Sequence, residues 1–208
     1  MSEFPSKAQV VVIRAGIVGS CLVGHLSRLG WEDIVLIDKG PLPNPGGSTG
    51  HASNFIFPVD HNKEMALLGV QSANQYRDLD RSVDSGGIEV ARTQERMNEL
   101  DRRMTSALAW GVEAELLTPA QVKELVPFIN EEIILGGFHC PTVSVVDSLD
   151  TGTLFRNEAM DKGVLKVFAN TEVEDVETVD APNGQKKVSA VVTDRGRIEA
   201  EYLSLIHI

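Results

Sequence analysis

Residues 10–38 read VVVIRAGIVGSCLVGHLSRLGWEDIVLID, and this stretch decides the fold. Val10 to Ile13 form an apolar β-branched run, the pattern of a strand covered on both faces. Ile17, Leu22, Leu26 and Leu29 recur at roughly helical spacing, and Gly30 ends that helix. Ile34 to Ile37 make a second apolar strand, closed by Asp38. Strand, tight turn, helix and strand in this order frame a dinucleotide fingerprint, Gly-x-Gly-x-x-Gly with an acid about 20 residues further on. Gly16 matches the glycine that lets backbone approach a diphosphate, and Gly19 the one that lets the helix lie close to the strands. Asp38 stands where a carboxylate accepts hydrogen bonds from an adenosine ribose. The helix start adds free N–H groups and a partial positive charge.

Position 14 departs from the fingerprint, with Arg14 where the first glycine normally makes the turn. If that turn needs a positive φ, an arginine there costs about 1–2 kcal/mol. Its side chain either fills cofactor space or pairs with the diphosphate, and weakened cofactor binding is the expectation. The alternative to a binding site is a βαβ unit that holds no ligand.

The chain of 208 residues is long enough for one large domain or two small ones, and 42% hydrophobic with 24% charged residues is a globular composition. A net charge of −11 argues against nucleic acid or an anionic membrane surface as partner. Cys21 and Cys140 lie far apart with no CxxC pair, which suits a reducing compartment. The first residues, MSEFPSKAQ, resemble neither a signal nor a transit peptide, so a cytoplasmic location is expected. No apolar run approaches the length of a membrane span.

Residues 39–62 are rich in Pro, Gly, Ser and Thr, and read as a long irregular loop at the carboxyl edge of the sheet, where such folds bind ligands. A helix is predicted from about Lys63 to Ser82 with Met65, Leu68, Tyr76, Leu79 and Val83 on its inner face. Ile88–Ala91 reads as a strand, and Thr93 as the cap of a helix over Gln94–Ala109 with Met97, Leu100, Met104 and Leu108 inward. Thr118 before Pro119 starts a short helix to Val126. Ile133–His139 reads as a strand, Asp150 or Thr151 opens a helix ending near Gly163, and Leu165–Ala169 is a further strand. Val173–Val179 and Val188–Thr193 form a hairpin across Asn183-Gly184. A last strand covers Arg197–Leu203. His139 and Cys140 are neighbours in a strand and point to opposite faces, so they make a poor nucleophilic pair. His25 and His61 read as surface residues, Trp110 as core, and no metal-ligand spacing appears.

Several segments together carry a specific resemblance: IRAGIVGS, GWEDIVLIDKGPL, PGGSTGHA, GGIEVA, AWGVEAELLTPAQ and ILGGFHCP. The chain resembles the flavin-dependent dimethylglycine and sarcosine dehydrogenase/oxidase family of the D-amino-acid-oxidase superfamily, from about Gln9 to Tyr202. The resemblance implies an α/β fold: a Rossmann-like FAD-binding domain with a central parallel sheet and an antiparallel hairpin layer. It also implies the beginning of an antiparallel substrate domain. Such proteins oxidise a secondary or tertiary N-methyl amine to an iminium, with FAD taking the hydride and the protein positioning it. Other members of the superfamily act on different amino acids or on glycerol phosphate. A catalytically dead nucleotide-binding module is the reading of another class.

Carried over residue by residue, the resemblance places Gly16, Ile17, Val18 and Gly19 at the pyrophosphate and Asp38 and Lys39 at the adenosine. Ser48, Thr49, Gly50 and His51 fall in the loop around the flavin, Phe55 at an apolar ring contact, and Val173 at the adenine. It makes His51 the candidate for a covalent bond to the flavin 8α-carbon, attacking as a neutral imidazole. A small-molecule amine is the implied substrate. Tetrahydrofolate belongs to a separate C-terminal region that residues 1–208 do not contain. The resemblance further implies that these residues are the N-terminal part of an incomplete domain whose catalytic residues lie beyond it. Residues 203–208, Leu-Ser-Leu-Ile-His-Ile, are expected to be an artefactual tail, which leaves His207 without a role. Poor solubility or low flavin content is expected of this length of chain alone.

Overall fold

The apolar run at residues 10–13 lies in the middle of a six-stranded sheet. A computed structural model describes residues 3–182 and 184–205. In chain order it begins with β1 (Lys7–Ile13), α1 (Ile17–Arg28), β2 (Ile34–Ile37) and β3 (Phe55–Ile56). Then follow α2 (Lys63–Asp78), β4 (Ser82–Asp84), β5 (Gly87–Ala91), α3 (Gln94–Ala109), β6 (Glu115–Leu117) and α4 (Pro119–Leu125). The rest is β7 (Gly136–Cys140), β8 (Ser144–Val146), α5 (Ser148–Asp161), β9 (Leu165–Phe168), β10 (Val173–Asp180), β11 (Lys186–Thr193) and β12 (Gly196–Leu205). Among the described residues no helix is long and apolar enough to cross a membrane.

Two units divide the chain. The first joins residues up to Ala52 to those from Ser148 onward, and the second is Ser53–Asp147. In the first, the sheet order is β10-β11-β12-β1-β2-β9. β12, β1, β2 and β9 run parallel, and the β10–β11 hairpin extends the same sheet in antiparallel fashion. Val10, Val11, Val12 and Ile13 pair with Ile34, Val35, Leu36 and Ile37, so two apolar runs meet without offset. Alternate residues feed the two faces. Val11, Val35 and Ile37 pack with Phe168, Val191 and Ile198; Val10, Val12 and Leu36 pack with Val23, Ala159 and Leu165. Each such side chain removed from water stabilises by about 1.5–3 kcal/mol.

α1 and α5 cover one face of that sheet and touch each other closely. A Cβ on Gly24 would stand 2.3 Å from Phe155 Cδ1, so only glycine permits this approach. Ser20, Gly24 and Ser27 form a buried small-residue stripe along α1.

The second unit holds two three-stranded antiparallel sheets, β3-β8-β4 and β5-β7-β6, with α2, α3 and α4. Leu100, Ala107, Val112, Phe138 and Cys140 make its core. α3 runs over Gln94–Ala109 as predicted, and Thr93 caps it by accepting the Arg96 N–H. Thr118 and Gln121 form a reciprocal capping box on α4.

Several sequence expectations are corrected here. α2 stops at Asp78, because Asp80 takes φ +55 and Ser82–Asp84 form a strand. Its buried residues are Ala66 and Ala73, while Met65, Leu68 and Val83 are exposed. The helix therefore turns its small residues inward and not the larger apolar side chains that the spacing selected. Leu108 of α3 is likewise exposed, and Ala107 takes its place in the core. β7 begins not at Ile133 but at Gly136, whose added Cβ would meet the Leu117 carbonyl oxygen at 2.7 Å. α5 begins two residues early, at Ser148. The 39–62 loop is not wholly irregular, since Ser48–His51 form a 3-10 turn and Phe55–Ile56 a short strand. β12 extends to Leu205, which pairs with Ile13. Asn183, Ile206, His207 and Ile208 lie outside the described residues, so half of the predicted Asn183-Gly184 turn and the end of the tail do too.

Candidate functional site

β1 and β2 end side by side, and the chain leaves β1 through Arg14, Ala15 and Gly16 before α1 begins. Arg14 sits at φ +86. The turn therefore does demand the left-handed region, and an arginine bears there the strain that glycine avoids. The Arg14 N–H donates to the Ile37 carbonyl at 2.7 Å and ties the turn to the end of β2.

Ala15 is held at both ends. Its N–H donates to Asp38 Oδ2 at 2.7 Å, and its carbonyl accepts from Ser20 Oγ at 3.0 Å and from Arg156 Nη1 at 3.2 Å. The second Asp38 oxygen accepts the Gly40 N–H at 2.8 Å. Asp38 thus lies where the fingerprint puts its acid, buried, with both oxygens already engaged by backbone. Gly16 is the N-cap of α1 and gives no side-chain cap. The loop supplies one instead: Thr49 Oγ1 accepts the Ile17 N–H at 2.9 Å. A Cβ on Gly16 would stand 2.8 Å from that hydroxyl, so the glycine makes room for the loop. Ser148 Oγ donates to the Thr49 carbonyl and anchors the loop from α5.

Above this turn lies a cavity of about 630 Å³. One wall is Arg14, Gly16, Ile17 and Val18, with Asp38 and Lys39 beside it. Gly46–Thr49 form a second wall, and Val173–Val176 of β10 with Leu205 of β12 a third. Arg14 and Lys39 are exposed to it, and their side chains have no hydrogen-bond or ion-pair partner among the described residues. Two cations without partners among the described residues and a helix start in this wall suit the diphosphate of a dinucleotide. The apolar Val173 edge suits its base.

The structure thus brings Gly16, Ile17, Val18, Asp38, Lys39, Ser48, Thr49 and Val173 to one cavity. Gly19 is buried in α1, one residue behind the wall. Gly50 and His51 complete the 3-10 turn and are exposed, and a Cβ on Gly50 would clash with Asn44 Oδ1 at 2.5 Å. Phe55 belongs to the second unit, where it is 45% exposed and its ring lies 5.9 Å from that of Phe57. Cys140 is buried in the second unit's core, and His139 Nδ1 faces Glu115 Oε1 at 2.9 Å, so the two share no site.

Sequence reasoning did not single out Arg156, Gly24 or the capping role of Thr49. The small-residue stripe Ser20-x3-Gly24 was a readable signal for a closely packed helix. Arg156 had none, because a lone arginine in a predicted helix reads as surface.

Three comparisons bear on this cavity. The family model described as FAD dependent oxidoreductase (DAO) matches residues 9–206. The chain is 31% identical over 205 residues to the mitochondrial pyruvate dehydrogenase phosphatase regulatory subunit of Mus musculus, covering 95% of this chain and 22% of that protein. It is 30% identical over 203 residues to the mitochondrial sarcosine dehydrogenase of Mus musculus, covering 94% and 22%. Among solved structures, L-proline dehydrogenase from P. horikoshii matches with a TM-score of 0.86 at 23% identity, over 96% of this chain and 52% of that one. The chain spans about a fifth of the length of those two curated relatives.

Proposed function

The chain belongs to the FAD dependent oxidoreductase family, and from that premise we propose that it is the cofactor-binding part of an amine dehydrogenase or oxidase. The substrate is a secondary or tertiary N-methyl amine of the sarcosine or dimethylglycine kind. The reading is carried by one observation: the cavity over Gly16, with α1 starting beneath it and Arg14 and Lys39 in its wall without side-chain partners among the described residues. These residues fit FAD: N–H groups and Arg14 for the diphosphate, Asp38 and Lys39 for the adenosine, and Ser48 and Thr49, which line the cavity and lead into the turn that ends at His51, toward the flavin end.

Bound flavin would supply the two-electron acceptor for a hydride from the N-methyl carbon. The resulting iminium adds water and yields formaldehyde and the demethylated amine. Within this chain, Thr49 joins the loop to α1 through the Ile17 N–H and so sets where His51 begins. We assign His51 the covalent attachment to the flavin 8α-carbon. Acid precipitation of flavin-loaded protein tests this: yellow colour stays with the pellet and with a peptide containing His51. Colour released entirely into the supernatant overturns the assignment.

A second reading has its own support. Arg14 is strained at a fingerprint position, and a relative at 31% identity carries the name of a regulatory subunit. On that reading the unit binds a nucleotide and performs no oxidation. Anaerobic bleaching of bound flavin by sarcosine or dimethylglycine in the full-length protein separates the two: bleaching favours the enzyme, and its absence the regulatory module.

A further inference from the structure

Arg156 lies on α5 and is 4% exposed. Its Nη1 donates to the Ala15 carbonyl at 3.2 Å and to Ser20 Oγ at 2.7 Å, and its Nη2 to Thr153 Oγ1 at 2.8 Å. All three acceptors are neutral. Gly152 clears the space, since a Cβ there would lie 3.3 Å from Arg156 Nη1. A guanidinium stays charged even when buried, so a full positive charge sits inside the first unit with no carboxylate among the described residues bonded to it. Burial pushes its pKa down, and the charge of Asp38 pulls it partly back. Isolated buried cations are costly, and a compensating anion close by lowers that cost.

The carbonyl it holds matters. The Ala15–Gly16 peptide is planar and trans, so its C=O and N–H point in opposite directions. With the Ala15 oxygen drawn inward to Arg156 and Ser20, the Gly16 N–H is directed outward, on the side of the cavity that Gly16 lines. No partner holds that N–H among the described residues. We infer that Arg156 is a positioning residue for an anionic diphosphate: it fixes the Ala15–Gly16 peptide so that the Gly16 N–H faces the ligand, and it places a buried positive charge behind the turn. The inference rests on the reading of this cavity as an adenine dinucleotide site, and gives that site an electrostatic floor that the glycine fingerprint does not contain.

The test uses the 208-residue chain and two probes, ADP and adenosine, titrated by calorimetry. Arg156→Gln keeps hydrogen-bonding capacity and removes the charge. Its ADP affinity should fall about tenfold, the size expected of one charge-assisted contribution, while adenosine binding stays within a factor of two. Arg156→Lys keeps a cation but cannot reach Ala15, Ser20 and Thr153 together, so ADP should weaken by a smaller factor of about three. Unchanged ADP affinity in either variant overturns the inference. So does an equal loss for ADP and adenosine, which marks a merely structural residue. If Arg156→Gln does not fold, the lysine variant decides alone. Wild-type chain that binds adenosine and ADP with equal strength also overturns the inference, because no diphosphate is then recognised. Wild-type chain that binds neither overturns the dinucleotide reading itself, and the inference with it.

Discussion

Arg103 and Arg156 each carry a guanidinium into the interior of their own unit, and their surroundings differ. Arg103 donates to Glu89 Oε1 at 2.7 Å, and Glu89 also takes Arg96. Its guanidinium lies 5.8 Å from the Phe57 ring centroid and 5.6 Å from that of Phe138. A carboxylate shared with Arg96 and two aromatic faces meet that charge within the fold. Among the described residues Arg156 bonds to a carbonyl and two hydroxyls. The difference teaches how to tell a cation that closes a core from one that is directed at something else. The first has a carboxylate bonded to it, and the second is bonded to neutral acceptors, with the charge of Asp38 acting on it from nearby.

Three measurements sharpen or break this contrast. Glu89→Gln has the largest expected effect: it leaves Arg96 and Arg103 without their anion and should lower stability by about 2 kcal/mol, with ADP binding unchanged. Chemical denaturation measures the first and calorimetry the second. A loss of ADP binding without unfolding would break the contrast, since it would make Arg103 and Arg156 parts of one system. Next comes Arg14→Gly, which relieves φ +86 and should raise stability by about 1 kcal/mol. The same variant reports on the nucleotide. Higher flavin occupancy marks the native Arg14 as an obstruction, and lower occupancy marks it as a diphosphate contact beside Arg156; equal occupancy would remove Arg14 from the site.

The smallest effect belongs to another, partly exposed arginine, which shows what a screened pair contributes. Arg28 on α1 meets Glu158 on α5 at 2.6 Å, both side chains about 30% exposed. The hydrogen bond from Arg28 holds the Glu158 carboxyl below its ordinary 4.5. A depressed folded pKa means the stabilisation is fully present above that ordinary value and is lost as pH falls through the lower folded one. At this exposure it amounts to about 0.5 kcal/mol. The stability difference between wild type and Arg28→Met should therefore be flat from pH 7 to 5 and shrink below about pH 4.5. A difference that grows with acidification contradicts the sign.

Much of the first unit was legible before any coordinates. Val10–Ile13 and Ile34–Ile37 are uniform apolar runs, and uniform runs admit little else than a doubly covered strand. Thr93 and Thr118 announced their helices because a capping hydroxyl has a local job. The inner face of α2 was illegible for the opposite reason. Ala66 and Ala73 are the buried residues while Met65 and Leu68 face outward, and sequence spacing does not say which side of a helix other segments cover. The same holds at the site. Gly16, Asp38 and Thr49 stand in a recognisable string, whereas Arg156 reaches Ala15 across 141 positions. Its role exists only once α5 is laid against α1.

That separation governs the birth of the molecule. On a ribosome, β1, α1 and β2 emerge first, and the whole of the second unit must follow before α5, β9 and β12 appear. At about 5–20 residues per second the turn at Ala15 waits on the order of ten seconds for its guanidinium. Through that interval the early strands have an open flank on either side, and a nascent chain arrested before α5 should retain no nucleotide.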